Sequence, residues 1–182
     1  MTAPDIPPAL RPLAAQSPYV GAWGTTRAPL VLVGEAPGQQ EAEQLVPFVG
    51  PAGKLLNRAL AAAGIARSMC YITNAVKYRP PLNRTPYQFE IAASRPSLLA
   101  EIAAVRPVAV AALGMVARGA LLPGLPARLG LFTELQLPGG LSVPVLVTRH
   151  PSYALREGPA EEEVLSGHLR MLIEGPYVYA GT

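Results

Sequence analysis

The chain has 182 residues, half of them hydrophobic, so it can bury the core of one domain, and its net charge of +3 permits binding to nucleic acid without requiring it. A single cysteine, Cys70, excludes an intrachain disulfide framework and any metal or cluster site built from several cysteines of this chain. Pro, Gly or a charge interrupts every apolar stretch before it could span a bilayer, and the N-terminus lacks the features of a secretory signal, so we expect a soluble cytoplasmic protein without membrane association.

In chain order, residues 1–28 are rich in Pro and are expected to be an irregular leader, with Tyr19, Val20 and Trp23 as anchors. The domain is expected to span residues 29–176. Short apolar runs predict strands over residues 30–33, 71–76, 108–113, 132–137 and 143–148, of which 132–137 is the weakest. Apolar residues at helical spacing predict helices over residues 53–63, 86–105, 115–121 and 160–174. This alternation predicts an α/β fold in which helices cover both faces of a mostly parallel sheet.

Three polar segments lie at or just after the ends of predicted strands, at residues 34–38, 74–81 and 150–156. Ligands bind at the carboxyl ends of strands in open α/β sheets, so we expect these segments to meet in one cleft. Glu35 brings a carboxylate to it, and Asn74 brings an amide that both donates and accepts, which suits the edge of a pyrimidine. His150 follows an apolar run and begins a rigid His-Pro-Ser turn. With the ring of Phe48, these groups indicate a pocket for a flat polar molecule.

The glycine spacing matches neither a Walker loop nor a dinucleotide-binding loop. Instead, GEAPG and PFVGPAG within residues 34–53, YITNAVK and RPP within 71–81, and HPSYALR at 150–156 resemble, in this order, the motifs of the uracil-DNA glycosylase superfamily, and most of all its family 4. The resemblance implies a three-layer α/β/α sandwich around a short, mostly parallel sheet. It also implies a monomeric, monofunctional DNA glycosylase that hydrolyses the N-glycosidic bond of uracil, or a related deaminated base, in DNA. The product is an abasic site for base excision repair.

The resemblance further implies a role for each matching position. Phe48 stacks on the extruded base, Asn74 reads its N3–H and O4, and His150 hydrogen-bonds O2, while Ala36 also belongs to the base pocket. Glu35 or Glu41 holds or activates the attacking water; the two are not distinguished by sequence. The positions expected to contact DNA are Gly50, Gly53, Lys77, Arg84, Ser152, Leu155 and Arg156, the last two in a loop that wedges into the duplex.

The chain departs from family 4 where that family binds an iron–sulfur cluster with four cysteines. Tyr78 and Ser94 stand at two of the cysteine positions, and the leader contains no cysteine. Neither tyrosine nor serine is a normal cluster ligand, so we expect no iron–sulfur cluster, no other metal and no cofactor.

Near the expected site, an acidic pair and a Gly-Arg of the family are replaced by Glu41-Ala42 and Leu45-Val46. These changes leave open a slower reaction or another base preference. They also motivate a second hypothesis, a catalytically weak or inactive protein of the same fold that binds DNA or damaged bases. A third hypothesis, an unrelated nucleotide-binding α/β domain, is disfavoured by the matches at Asn74 and His150.

Overall fold

The computed structural model describes residues 6–126 and 128–175, so residues 1–5 of the expected leader and residue 176 at the expected end of the domain lie outside it. Within the described residues a five-stranded sheet forms the centre of the fold, with the strand order β2-β1-β3-β5-β4. The strands are β1 (Leu30–Gly34), β2 (Cys70–Asn74), β3 (Ala109–Leu113), β4 (Phe132–Leu137) and β5 (Leu141–Thr148). All neighbours pair in parallel except β4 and β5, which form an antiparallel hairpin.

Helices cover both faces of this sheet. They are α1 (Arg11–Ala14), α2 (Gln39–Gln44), α3 (Pro51–Ala62), α4 (Gln88–Val105), α5 (Met115–Leu121), α6 (Pro151–Glu157) and α7 (Pro159–Glu174). In the part of the chain that the structure describes, no helix combines the length and apolar character needed to cross a membrane.

Two apolar cores lie on opposite sides of the sheet, because successive strand residues point to opposite faces. Val31 and Val33 of β1 belong to the core that contains α4 and α5. Leu30 and Leu32 belong to the core that contains α3 and α7. Strands buried on both faces need continuous apolar runs, which explains the LVLV sequence of β1. The predicted three-layer α/β/α sandwich with a mostly parallel sheet is therefore confirmed.

The described part of the expected leader differs from an irregular chain. Residues 8–14 form a short 3-10 turn followed by α1, and they bury Leu10 and Leu13 in the core beneath α4. Farther on, Val20 is fully buried, and Trp23 forms an isolated antiparallel bridge with Ile72 of β2 through two backbone hydrogen bonds of 2.8 Å. The prolines stop a long helix here, and the apolar side chains nevertheless attach the segment to the domain.

Candidate active site

A cleft of about 750 Å³ opens at the carboxyl ends of the parallel strands. Its walls come from the loop after β1, the loop after β2 and the start of α6, which follows β5. The three polar segments predicted to converge therefore meet in one cleft. Most of the candidate residues line it: Glu35, Ala36, Glu41, Phe48, Gly50, Asn74, Arg84, His150, Ser152, Leu155 and Arg156.

Gly34, the last residue of β1, lies where Phe48 and Asn74 approach each other. A Cβ atom on Gly34 would lie 2.5 Å from Phe48 Cζ and 2.5 Å from Asn74 Oδ1. Both side chains are almost fully buried, with exposed fractions of 6% for Phe48 and 3% for Asn74. The absence of a side chain at Gly34 is thus what lets the ring and the amide occupy the same corner of the cleft.

Phe48 presents its ring from a tight backbone turn. Its φ of 56° lies in the left-handed region, which strains residues that have a side chain. Gly53 of α3 packs directly on this turn, since a Cβ on Gly53 would lie 1.9 Å from the Phe48 carbonyl oxygen. Glu41 Oε1 accepts hydrogen bonds from the N–H groups of Val49 and Gly50, at 3.0 and 2.7 Å. The turn is held from two sides, so the ring is positioned before any ligand binds.

Asn74 is almost fully buried as a residue, but its side-chain amide makes no hydrogen bond within the described residues and stays open to the cleft that it lines. An amide that is open to a cleft is available to form hydrogen bonds with water or with a ligand. Asn74 can donate through its NH₂ group and accept through its carbonyl oxygen at the same time. This pair of functions is what the N3–H and O4 edge of uracil requires.

His150 caps the N-terminus of α6. Its Nδ1 accepts a hydrogen bond from the Ser152 N–H at 3.1 Å, which leaves the ring proton on Nε2. Burial, and then the positive charge of Arg156, lowers the pKa of His150 to about 4, so the ring is neutral at pH 7. The ring centroids of His150 and Phe48 are 6.0 Å apart. His150 therefore offers the cleft a neutral N–H donor whose tautomer is fixed.

Gly114 gives His150 the space that it occupies. Gly114 has a φ of 90°, and a Cβ at this position would lie 2.8 Å from His150 Cβ. The residue is the N-cap of α5, directly after β3, and its own N–H donates to the Thr148 carbonyl oxygen at 2.9 Å. A larger residue would displace the histidine.

The two candidate glutamates have different surroundings. Glu35 is partly buried in the cleft, and burial raises the pKa of its carboxyl group, while the nearby Thr85 side chain acts in the opposite direction. One oxygen of Glu41, by contrast, accepts the two backbone hydrogen bonds of the Phe48 turn. Glu35 is the more suitable of the two to accept a proton from a water molecule.

Helix α6 supplies one rim of the cleft. Leu155 is exposed to 46%, and Arg156 beside it is also exposed. On the other wall, Arg84 lies in the loop after β2, but its guanidinium forms two hydrogen bonds with the Glu90 carboxylate, at 2.7 and 2.9 Å. Its Cζ lies 3.7 Å from the centroid of the Tyr87 ring. Arg84 therefore reaches the cleft with its charge already paired.

Two residues expected to contact DNA lie elsewhere. Lys77 is exposed to only 6%, and its Nζ pairs with Glu101 Oε2 of α4 at 2.6 Å. Burial lowers the pKa of Lys77, and Glu101 acts in the opposite direction. Gly53 is buried against the Phe48 turn. The expectations that Lys77 and Gly53 contact DNA are therefore corrected. The local sequence could not show this, because the partners that bury both residues come from other segments of the chain.

The positions that correspond to cluster cysteines do not fit an iron–sulfur cluster. Tyr78 is packed in the core on the α4 side, and Ser94 of α4 is buried there and donates its hydroxyl to the Glu90 carbonyl oxygen at 2.9 Å. Cys70 lies in the other core, across the sheet, and burial raises the pKa of its thiol to about 12. Within residues 6–126 and 128–175, no group of three or more His, Cys, Asp or Glu residues is placed to hold a metal ion.

Sequence reasoning did not assign roles to Gly34, Gly114 and Thr85. Each is close to a candidate residue of the cleft, but the approach depends on contacts between distant segments. The sequence does contain one signal for the role of Gly34, because this glycine ends an otherwise apolar strand. A glycine in a strand often marks a place where another group approaches the backbone closely.

A family model described as the Uracil DNA glycosylase superfamily matches residues 22–166. The chain is similar to a Type-4 uracil-DNA glycosylase of Pyrobaculum aerophilum, with 36% identity over 158 residues that cover 84% of this chain and 80% of the relative. It is also similar to the Type-4 uracil-DNA glycosylase of Thermotoga maritima, with 42% identity over 129 residues, 70% of this chain and 66% of the relative. A third such protein, from Archaeoglobus fulgidus, is 44% identical over 99 residues, 54% of this chain and 50% of the relative.

Proposed function

The chain belongs to the uracil-DNA glycosylase superfamily, and from this premise we propose that it is a monofunctional DNA glycosylase that removes uracil, or a related deaminated base, from DNA. The reaction hydrolyses the N-glycosidic bond and leaves an abasic site for base excision repair. The observation that carries this proposal is the side-chain amide of Asn74, which makes no hydrogen bond within the described residues, lines the cleft and lies beside the Phe48 ring at Gly34.

Base recognition in this proposal depends on two side chains. The nucleotide leaves the base stack, which costs a few kcal/mol, and contacts in the pocket offset that cost. Phe48 stacks on the flat face of the base. The Asn74 carbonyl oxygen accepts from N3–H while its NH₂ group donates to O4. Cytosine presents an acceptor and a donor in the opposite order, so the amide orientation that pairs with uracil leaves polar groups unpaired against cytosine.

His150 acts on the leaving base. As the N1–C1′ bond breaks, its electron pair passes to the base, and negative charge develops on O2. The Nε2–H of His150 donates a hydrogen bond to O2 and stabilises this charge. Because the pKa of His150 is lowered to about 4, the ring acts as a neutral hydrogen-bond donor and not as a proton source at pH 7.

Glu35 acts on the sugar and on water. The carboxylate lies in the cleft, where it favours the positive charge that develops at C1′. The oxygen of a water molecule forms the new bond to C1′, and Glu35 accepts its proton. Glu41 supports the reaction indirectly, because it holds the turn that presents Phe48.

The proposed enzyme works without an iron–sulfur cluster or another cofactor. This part of the proposal is supported by the tyrosine and the serine at cluster positions, and by the separation of Cys70 from them by the sheet. Its partner is DNA that contains uracil or another damaged base, contacted by Gly50, Ala36, Ser152, Leu155 and Arg156 around the cleft. We further propose that it acts as a monomer in the cytoplasm.

A cleavage assay tests the proposal. Oligonucleotides with one uracil, in single and double strands, are incubated with the protein, treated with alkali to break abasic sites and separated on a gel. We expect product from uracil and none from cytosine at the same position. His150→Ala should lower the cleavage rate strongly. Glu35→Gln should lower the rate more than Glu41→Gln does, whereas Glu41→Gln should lower the stability of the protein more, because Glu41 holds the Phe48 turn. If the wild-type protein gives no product but still binds the oligonucleotides, the binding protein without efficient turnover becomes the better description.

A further inference from the structure

Leu82 combines two unfavourable features at one position. It is exposed to 96%, more than any other large apolar side chain in the described part of the chain. Its φ of 54° and that of the following Asn83, 55°, both lie in the left-handed region. This conformation is common for asparagine but strained for leucine. A strained and exposed apolar residue contributes nothing to folding, so a contact outside the protein is the expected reason for it.

The loop that carries Leu82 is rigid. Pro80 and Pro81 precede it, and each fixes its own φ. The Asn83 N–H donates to the Pro80 carbonyl oxygen at 3.1 Å, and Arg79 Nε donates to Asn83 Oδ1 at 2.6 Å. The backbone that presents Leu82 is therefore held in one conformation, which lowers the entropy cost of ordering the loop on a partner.

The position of this loop identifies the partner. Pro80 and Asn83, on either side of Leu82, both line the cleft. On the other wall, Leu155 of α6 is the exposed apolar side chain, at 46%. An exposed leucine thus lies at each of two walls of the cleft that also contains Phe48 and Asn74, with Leu82 at the rim between two lining residues.

We propose that Leu82 is an apolar wedge that inserts into the base stack of duplex DNA next to the extruded nucleotide, from the wall opposite Leu155. This inference rests on the proposed function of the cleft. Proteins that distort DNA insert leucine and similar side chains between base steps, and the lost stacking is offset by the apolar contact. A wedge on each wall would hold the duplex open from both sides of the nucleotide that leaves it.

The first test compares duplex and single-stranded substrates, because only a duplex has a stack into which Leu82 can insert. Leu82→Ala should lower the ratio of duplex to single-strand cleavage by about tenfold, the effect expected when an apolar contact of this size is shortened to a methyl group. Ile173→Ala is the matched control: Ile173 is exposed to 46% beside Gly64, at the end of α3 that lies away from the cleft. It should leave the ratio unchanged.

A second measurement separates this inference from the glycosylase proposal. A duplex with a stable abasic-site analogue next to 2-aminopurine needs neither base recognition nor cleavage, and its fluorescence rises when the 2-aminopurine is unstacked. The wild-type protein and Ile173→Ala should raise the fluorescence, and Leu82→Ala should lose most of that rise. This result would support the wedge even if the wild-type protein failed to cleave uracil. An equal rise with Leu82→Ala, or an unchanged cleavage ratio, would overturn it.

Discussion

Replacing Gly34 by alanine tests the arrangement on which the proposed function depends. The added methyl group would lie 2.5 Å from both Phe48 Cζ and Asn74 Oδ1, whereas carbon atoms in good contact are separated by about 3.5–4.0 Å. The ring and the amide must therefore move by about 1 Å, and a misplacement of that size at a reacting site costs about a hundredfold in rate. Overpacking of a buried position also lowers the free energy of unfolding, by about 1–3 kcal/mol.

We therefore expect kcat/KM on a uracil-containing oligonucleotide to fall by about a hundredfold in Gly34→Ala while the protein remains folded. Thermal unfolding measured on the same preparation checks that the Gly34→Ala protein is folded. Gly167→Ala is the control, because a Cβ at this helical position meets nothing within 4 Å. It should keep full activity and gain about 0.5–1 kcal/mol in stability. If Gly34→Ala cleaved within about twofold of the wild-type rate, Phe48 and Asn74 would not be the pair that recognises the base.

Four further predictions concern single side chains. Asn74→Asp should lower the preference for uracil over cytosine by at least about tenfold, measured as the ratio of kcat/KM values, because a carboxylate cannot donate to O4. The pKa of His150 falls from 6.5 to about 4 on folding, so the unfolded state alone binds a proton between these values. Urea unfolding should therefore show a loss of about 3 kcal/mol as the pH falls through this window in the wild type, and a smaller loss in His150→Gln. Glu101→Gln leaves the buried ammonium of Lys77 without its carboxylate and should destabilise the protein by about 3 kcal/mol in the same assay; a change below about 1 kcal/mol would contradict the pairing. Leu82→Gly should raise the free energy of unfolding by about 0.5–1 kcal/mol, since glycine adopts a left-handed φ without strain.

The main elements of the fold could be predicted from the sequence because their patterns are local. The strand at 132–137 and the helix at 115–121 have the predicted bounds, and α4 ends at the predicted Val105. The strand predicted over 71–76 ends at Asn74, although the Ala75 N–H still donates to the carbonyl oxygen of Gly34, the last residue of β1, and the Val76 N–H donates to that of Glu35. Helix α2 was not predicted, since none of its residues is buried and it has no apolar face to recognise.

The cleft could be predicted only in part. Asn74 and His150 were found because the first ends an apolar strand and the second follows one, and the carboxyl ends of parallel strands meet at one edge. Lys77 has the same position in the sequence pattern, but a carboxylate on α4 binds it in the interior. The importance of Gly34 depends on the distance between two side chains from other segments, which no local pattern contains.

The bridge between Trp23 and Ile72 covers part of the edge of the sheet, at strand β2. In the sheet, β2 has β1 on one side only, so its other side is an edge with unpaired backbone groups. Such an edge is a template for association with strands of other molecules, and proteins block it with short or irregular segments. The proline-containing stretch that carries Trp23 covers this edge with two hydrogen bonds and is too irregular to offer a new edge itself. With the Ile72 backbone groups already bonded to Trp23, this position of the edge is closed to a strand of another molecule.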